Sequence, residues 1–307
     1  MNEKINELFD SVRRYSTSEE FKELMDFCAR FKHLAPYNAM LVNIQMPGVR
    51  YVLTSKEWSE KYHREVQINA RPIMILIPFG PVQFVYDISQ TKPGRGHMSK
   101  DEELLQKLMR PYEPMGGVAP TSFQNLVDSL SYDGIRTDFT MTAASSHAGY
   151  VCTKATREYL YYHYKKNTFR LEYEMPLLMS INKDASLEEK FCTICHELGH
   201  VLARHLYVEP FDWEPRRLSQ YEEEFEAEAI SWLVTQRFGI TDSRSSEYLG
   251  QYYSQNKYIP AISIGTVLSA VTEIERRIRK PDLKQGLIYK YDKEFRKSFD
   301  DALAQMK

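Results

Sequence analysis

The sequence predicts an α+β protein: a small α+β domain over residues 1–95, then a mostly helical domain over 96–307 that carries a small sheet. Three observations predict it. In the first hundred residues, helical apolar spacing alternates with two β-rich runs, Ile73 to Pro78 and Val82 to Ile88. A turn-rich stretch, Gln90-Thr-Lys-Pro-Gly-Arg-Gly, closes that block. From residue 187 onward the patterns are almost all helical. A chain of 307 residues is long enough for two cores.

In order along the chain, Ser18 and the following EEFKELMDFCARF predict a helix, with Phe21, Leu24, Met25, Phe27, Cys28 and Phe31 near helical spacing. A second helix begins at Tyr37 and stops at Pro47-Gly48. A short strand, Arg50 to Leu53, and a helix around Lys56 to Tyr62 precede the two β-rich runs. Residues 96–165 carry no clear assignment as a whole. Within them, Asp101 to Met109 reads as helix, Pro111 to Pro120 as a Pro/Gly loop and 154–164 (KATREYLYYHY) as helix. Residues 168–182 read as a strand, bent at Pro176. Helices are expected at 187–205, 220–238, 244–254, 263–279 and 289–305.

Composition narrows the function. A net charge of -2 gives no global electrostatic case for nucleic acid, although residues 1–100 hold 14 Lys/Arg against 11 Asp/Glu. The amino end, MNEKINELFDSVRRY, lacks the apolar core of a signal peptide, and PIMILIPF is too short to span a bilayer. Four cysteines in a chain of this length do not make a disulfide framework. The expectation is a cytoplasmic protein with no membrane contact.

The strongest motif is His196-Glu-Leu-Gly-His200. Ser186 and Glu189 form a capping-box pattern ahead of it, and Phe191, Ile194, Leu198, Val201 and Leu202 recur at helical spacing. Two histidines four residues apart project from one side of a helix and can share one Zn²⁺. Glu197 then lies beside the metal rather than on it, where it can take a proton from water as a catalytic base. The expectation is a zincin-like metallopeptidase domain holding one zinc per chain and acting on a protein or peptide.

A catalytic zinc wants a third protein ligand. The spacing for a third histidine on the same segment falls on Leu206, and His205, one residue off, reads as a polar surface group. A glutamate from a following helix is the other common solution. Ser219 and Glu222 form a second capping pattern, opening a helix that begins Glu222-Glu-Glu-Phe-Glu-Ala-Glu228. Glu224 as ligand with Glu228 hydrogen-bonded to a ligand histidine is one assignment. Glu222 with Glu226 has the same spacing and is the rival. Small residues at Ala227 and Ser231 would let this helix approach the histidine helix. Cys192-Thr-Ile-Cys195-His196 also matches a haem attachment pattern; haem is not expected, because that chemistry needs export and HExxH already explains His196.

HELGH at 196–200 with Glu224-Phe-Glu-Ala-Glu-Ala-Ile-Ser resembles the ImmA/IrrE family of gluzincin-type metallopeptidases. The resemblance implies Glu224 as third zinc ligand and places Glu228 where that family has Asn or Asp. Tyr37-Asn-Ala-Met-Leu, Gln45-Met-Pro-Gly, Trp58, Arg64-Glu-Val, Ile73 to Pro78 and Phe84-Val-Tyr-Asp-Ile-Ser-Gln-Thr resemble the amino-terminal domain of ArdC-like antirestriction proteins of mobile elements. That resemblance implies single-stranded DNA as a partner. Together the two imply a protein substrate such as a DNA-binding repressor, or a non-catalytic antirestriction role. The aromatic cluster Tyr159, Tyr161, Tyr162, Tyr164 and Phe169, beside Lys165, Lys166 and Arg170, reads as packing in preference to base stacking. His33, His63, His97, His147 and His163 read as structural or surface groups.

Overall fold

A computed structural model describes residues 15–77, 82–94, 103, 104, 106, 108, 118–141, 148–164, 167–240 and 243–304. The fold is α+β, and the chain divides into two compact units. One takes residues up to Met115 together with Tyr253–Ile259; the other takes Gly116–Tyr252 and Pro260–Lys307.

In the first unit, helix α1 (Ser18–Arg30) is capped by Thr17, which exchanges bonds with Glu20 in a capping box. The cap therefore falls one residue before Ser18, whose hydroxyl instead bonds Asn256 O at 2.6 Å. Helix α2 (Pro36–Gln45) follows, then β1 (Val52–Leu53), α3 (Ser55–Tyr62), β2 (Arg64–Val66), β3 (Ile73–Ile75), β4 (Gln83–Asp87) and β5 (Thr91–Pro93). The strands form a three-stranded sheet ordered β1-β4-β3 and a β2-β5 pair. Two side-chain amides of α2 complete the hydrogen bonds of β3 on the side away from β4. Asn38 bonds Leu76 N and O, both at 2.9 Å, and Gln45 bonds Met74 N at 2.9 Å and O at 2.8 Å. The expected helix at 101–109 is represented by Glu103, Leu104, Gln106 and Leu108, all helical. Leu104 and Leu108 pack with Tyr51, Trp58 and Ile88 in one core cluster. Residues 111–117 of the expected loop, His97, His147, Lys165 and Lys166 lie outside the described residues.

The second unit holds helix α4 (Pro120–Tyr132), strands β6 (Ile135–Met141), β7 (Gly149–Tyr164) and β8 (Asn167–Asn182), then helices α5 (Leu187–Leu202), α6 (Gln220–Arg237), α7 (Arg244–Gln255), α8 (Ile264–Arg279), α9 (Leu287–Tyr291) and α10 (Lys293–Ala304). The last turn of α7 passes into the first unit. The sheet order is β6-β8-β7, with β6 parallel and β7 antiparallel to β8. Among the described residues, no helix is long and apolar enough to cross a membrane.

Residues 154–164, expected as helix, are strand. Between Thr156 and Tyr162 the burial alternates with period two: Leu160 is 1% exposed between Tyr159 at 46% and Tyr161 at 53%. A tyrosine-rich stretch suits a pleated surface better than a helix. The inner side of the hairpin packs on α10 through Tyr162–Phe299 and Tyr173–Phe295, each pair 5.0 Å apart. The register slips between Thr153 and Thr156, opposite Met175–Leu177. Pro176 sits at that slip and has no N–H for the ladder, so the partner strand bulges past it. The helix expected over 289–305 is two helices. Asp292 divides them, accepting from Phe295 N at 2.9 Å as a cap and from the Tyr173 hydroxyl at 2.9 Å. Buried Asp133 joins α4, α8 and α9: it accepts from Arg277 Nε and Nη2 at 2.6 and 2.7 Å and from Leu287 N at 3.0 Å.

Candidate metal centre

Helices α5 and α6 meet face to face at the site. Each opens on a complete capping box, Ser186 with Glu189 and Ser219 with Glu222, so the phase of each helix is set close to the functional residues. Their approach depends on small residues. A methyl added at Gly199 would stand 3.5 Å from Ala227 Cα, and the Ser231 hydroxyl donates to Cys192 O at 3.2 Å. On the other side, a Cβ at Gly149 would come within 2.6 Å of Thr193 Cγ2 and 2.8 Å of Ser180 O. A bare glycine there lets the start of β7 lie against α5.

This packing brings His196, His200 and Glu224 together. Their nearest donor atoms all lie within 4.8 Å of one another, an arrangement able to hold a metal ion. The two Nε2 atoms are 3.2 Å apart, and Glu224 Oε2 stands 3.5 Å from His196 Nε2 and 3.8 Å from His200 Nε2. Glu228 Oε1 faces the other nitrogen of His196, Nδ1, at 3.6 Å, just beyond hydrogen-bond length. The members of the rival acidic pair lie elsewhere. Glu222 serves the cap of α6, and Glu226 is fully buried on another side of that helix.

The three groups line a cleft of about 1350 Å³, with Ala148–Val151 of the β7 end along one wall and Glu197 within it. The Val151 N–H bonds the Glu197 carboxyl. Burial pushes the Glu197 pKa up; His196 and the Val151 N–H pull against it, while Glu224 and Glu228 add to it. Burial opposes a charged His196, but the carboxylates of Glu224 and Glu228 outweigh it and hold that pKa up at about 10. His200 is pushed down to about 4 by burial and by His196. Glu224 is lowered, first by His196. Burial alone would raise Glu228, yet His196 and Ser245 bring it below the ordinary value. The thiols are muted: burial pushes Cys192 up to about 11 and Cys195 well up.

His205, expected at the surface, is buried, with a side chain 1% exposed. Its Nδ1 lies 2.9 Å from His200 Nδ1, and its Nε2 lies 3.0 Å from Glu226 Oε2. Glu226 also accepts from Arg216 Nη1, from Arg216 Nη2 at 2.9 Å and from Ser263 N at 2.8 Å. The motif spacing carries no sign of these contacts, because Arg216, Glu226 and Ser263 are brought to His205 by tertiary packing. The available hint is an acid at Glu226 between the apolar Phe225 and Ala227, where an uncompensated charge could not stay.

Fold and site together define an α+β protein with a helix-borne His–His–Glu cluster suited to a metal ion. No family model matches the chain, and no curated protein matches it. Among solved structures the chain is similar to the metal-free crystal structure of antirestriction ArdC protein from the R388 plasmid. The identity is 16% over 83% of this chain and 85% of that chain, with a TM-score of 0.34.

Proposed function

We propose that the chain is a zinc-dependent metallopeptidase acting on a protein substrate. The observation that supports it is Glu197, held in the cleft beside the three donor groups yet not among them. A purely structural metal site has no use for such a carboxylate. The donor set fits zinc. Ligand atoms at about 2.0–2.1 Å from a tetrahedral zinc lie about 3.3–3.4 Å apart, against 3.2, 3.5 and 3.8 Å for His196, His200 and Glu224. Three protein donors leave a fourth position open, as catalytic zinc requires.

When bound, zinc would supply Lewis acidity toward a water molecule and the scissile carbonyl. Glu197 takes the proton from the attacking water and returns it to the leaving nitrogen. Its raised pKa suits both halves of that task. The Val151 N–H fixes the carboxylate while it does so. Strand β7 is at an edge of its sheet, and its first residues line the cleft. An extended peptide laid along that edge would have its backbone held beside Glu197.

A second reading, a metal-containing antirestriction protein that shields single-stranded DNA, draws on the ArdC-like residues of the first unit. The same unit exposes an aromatic ring of the kind on which bases stack, Phe84 at 49%. One set of proteins separates the readings. The wild type should bind one zinc per chain; His200→Ala should lose it; Glu197→Gln should keep it while hydrolysis of denatured casein falls on the order of 10²–10⁴-fold. Zinc-loaded wild type that cleaves no better than Glu197→Gln, yet binds a labelled single-stranded oligonucleotide, would replace the first reading by the second.

A further inference from the structure

We infer that His205 and Glu226 are positioning residues that fix which nitrogen of His200 carries hydrogen, and so keep its Nε2 bare and aimed at the metal; this rests on the metal-site reading above. Glu226 is fully buried and receives three donors besides His205, namely both Arg216 nitrogens and Ser263 N. An ionised carboxylate only accepts, so His205 Nε2, 3.0 Å away, must be the donor. With its ring hydrogen on Nε2, the His205 ring presents a lone pair at Nδ1. That lone pair faces His200 Nδ1 at 2.9 Å, so His200 must donate from Nδ1. Its remaining nitrogen, Nε2, is then the free acceptor, and this is the atom turned toward His196 Nε2 and Glu224.

For a His205 ring that carries a single hydrogen, each link has one workable direction. Arg216 grips both oxygens of Glu226, and the Ser263 N–H comes from the start of α8. Metal-bound histidines generally give their outer N–H directly to a carboxylate or carbonyl. Here one imidazole is interposed, so the carboxylate that sets the tautomer lies a ring's width further from the ion. The two histidines are thereby oriented differently: the Nδ1 of His196 faces Glu228 Oε1 at 3.6 Å, whereas the Nδ1 of His200 meets the His205–Glu226–Arg216 relay.

The test uses the full chain. Nitrogen-15 NMR of the metal-free wild type, labelled at histidine, reads the tautomer directly. Hydrogen on Nδ1 of His200 and on Nε2 of His205 is expected, and hydrogen on His200 Nε2 would overturn the inference. Zinc affinity is then measured by competition with a chromophoric chelator. His205→Phe keeps the ring's bulk but neither polar contact, and should weaken zinc by about 10–100-fold. His205→Gln, with a carbonyl to accept and an amide to donate, should recover most of that loss. Glu226→Gln should also weaken zinc. Folded His205→Phe binding zinc like the wild type, or His205→Gln losing as much as His205→Phe, would overturn the inference. A wild type that binds no zinc would remove the metal reading, while the tautomer measurement would still decide the relay.

Discussion

Glu273 shows how a single side chain can carry a pH dependence away from the metal. It accepts from Arg277 Nη1 at 2.7 Å and from Arg276 Nη2 at 2.5 Å, and Lys290 Nζ lies 3.2 Å away. Burial alone would raise its pKa, but these cations more than offset that and hold it at about 2, below the ordinary 4.5. A carboxylate depressed in this way contributes stability that is fully present above pH 4.5 and is lost as the pH falls toward 2. Its side chain is 30% exposed, so solvent trims the contribution; about 1–2 kcal/mol is reasonable. Glu273→Gln should therefore lower unfolding stability by about that amount near pH 7. Urea titrations should show the gap closing as the pH is lowered from 5 toward 3. A gap of constant size would mean the residue acts through packing and not through charge.

Among the elements, the α5–α6 pair decides whether the metal donors meet. A Cβ at Gly199 finds ordinary contacts at 3.5 Å with Ala227 Cα and with Ile230. Gly199→Ala should therefore fit and gain up to about 1 kcal/mol from helix propensity, with zinc binding intact. Gly199→Leu should drive α6 away and carry Glu224 off the histidines, so zinc affinity should collapse along with the melting temperature. Full zinc affinity in a folded Gly199→Leu chain would show that the helices have room to spare. These two helices were legible in the sequence because their signals are local: two capping boxes, an apolar stripe and the HExxH spacing all lie within single helices. Strand β7 was not. Eleven residues of Tyr, Leu, His and charge carry no β-branched run beyond Thr156, and their period-two burial is imposed by β8 and α10. The burial of His205 is hidden from the sequence for a related reason. Its partners come from a loop, from α6 and from the start of α8, and no spacing within one segment encodes such a meeting.

For the molecule as a whole, a net charge of -2 and a sequence pI near 6.5 mean that copies of the chain repel one another only weakly near neutral pH. Solubility then depends on what each copy shows its neighbours. An unpaired strand edge is a template on which another chain can add its own strand. Strand β3 would be such a template, with exposed Leu76 at its end, were it not for the two amides of α2 that bond Met74 and Leu76. Asn38 and Gln45 thus act as a counterfeit strand: they give β3 a neighbour's hydrogen bonds without offering an edge to be extended in turn. Replacing both by Ala leaves two N–H and two C=O groups facing outward on a short apolar strand. The double variant should bind zinc as the wild type does, because those residues belong to the other unit. It should associate with rising concentration at pH values near the pI, as light scattering would reveal. A double variant that stays monomeric at the wild type's solubility limit would show that β3 is too short to recruit a partner.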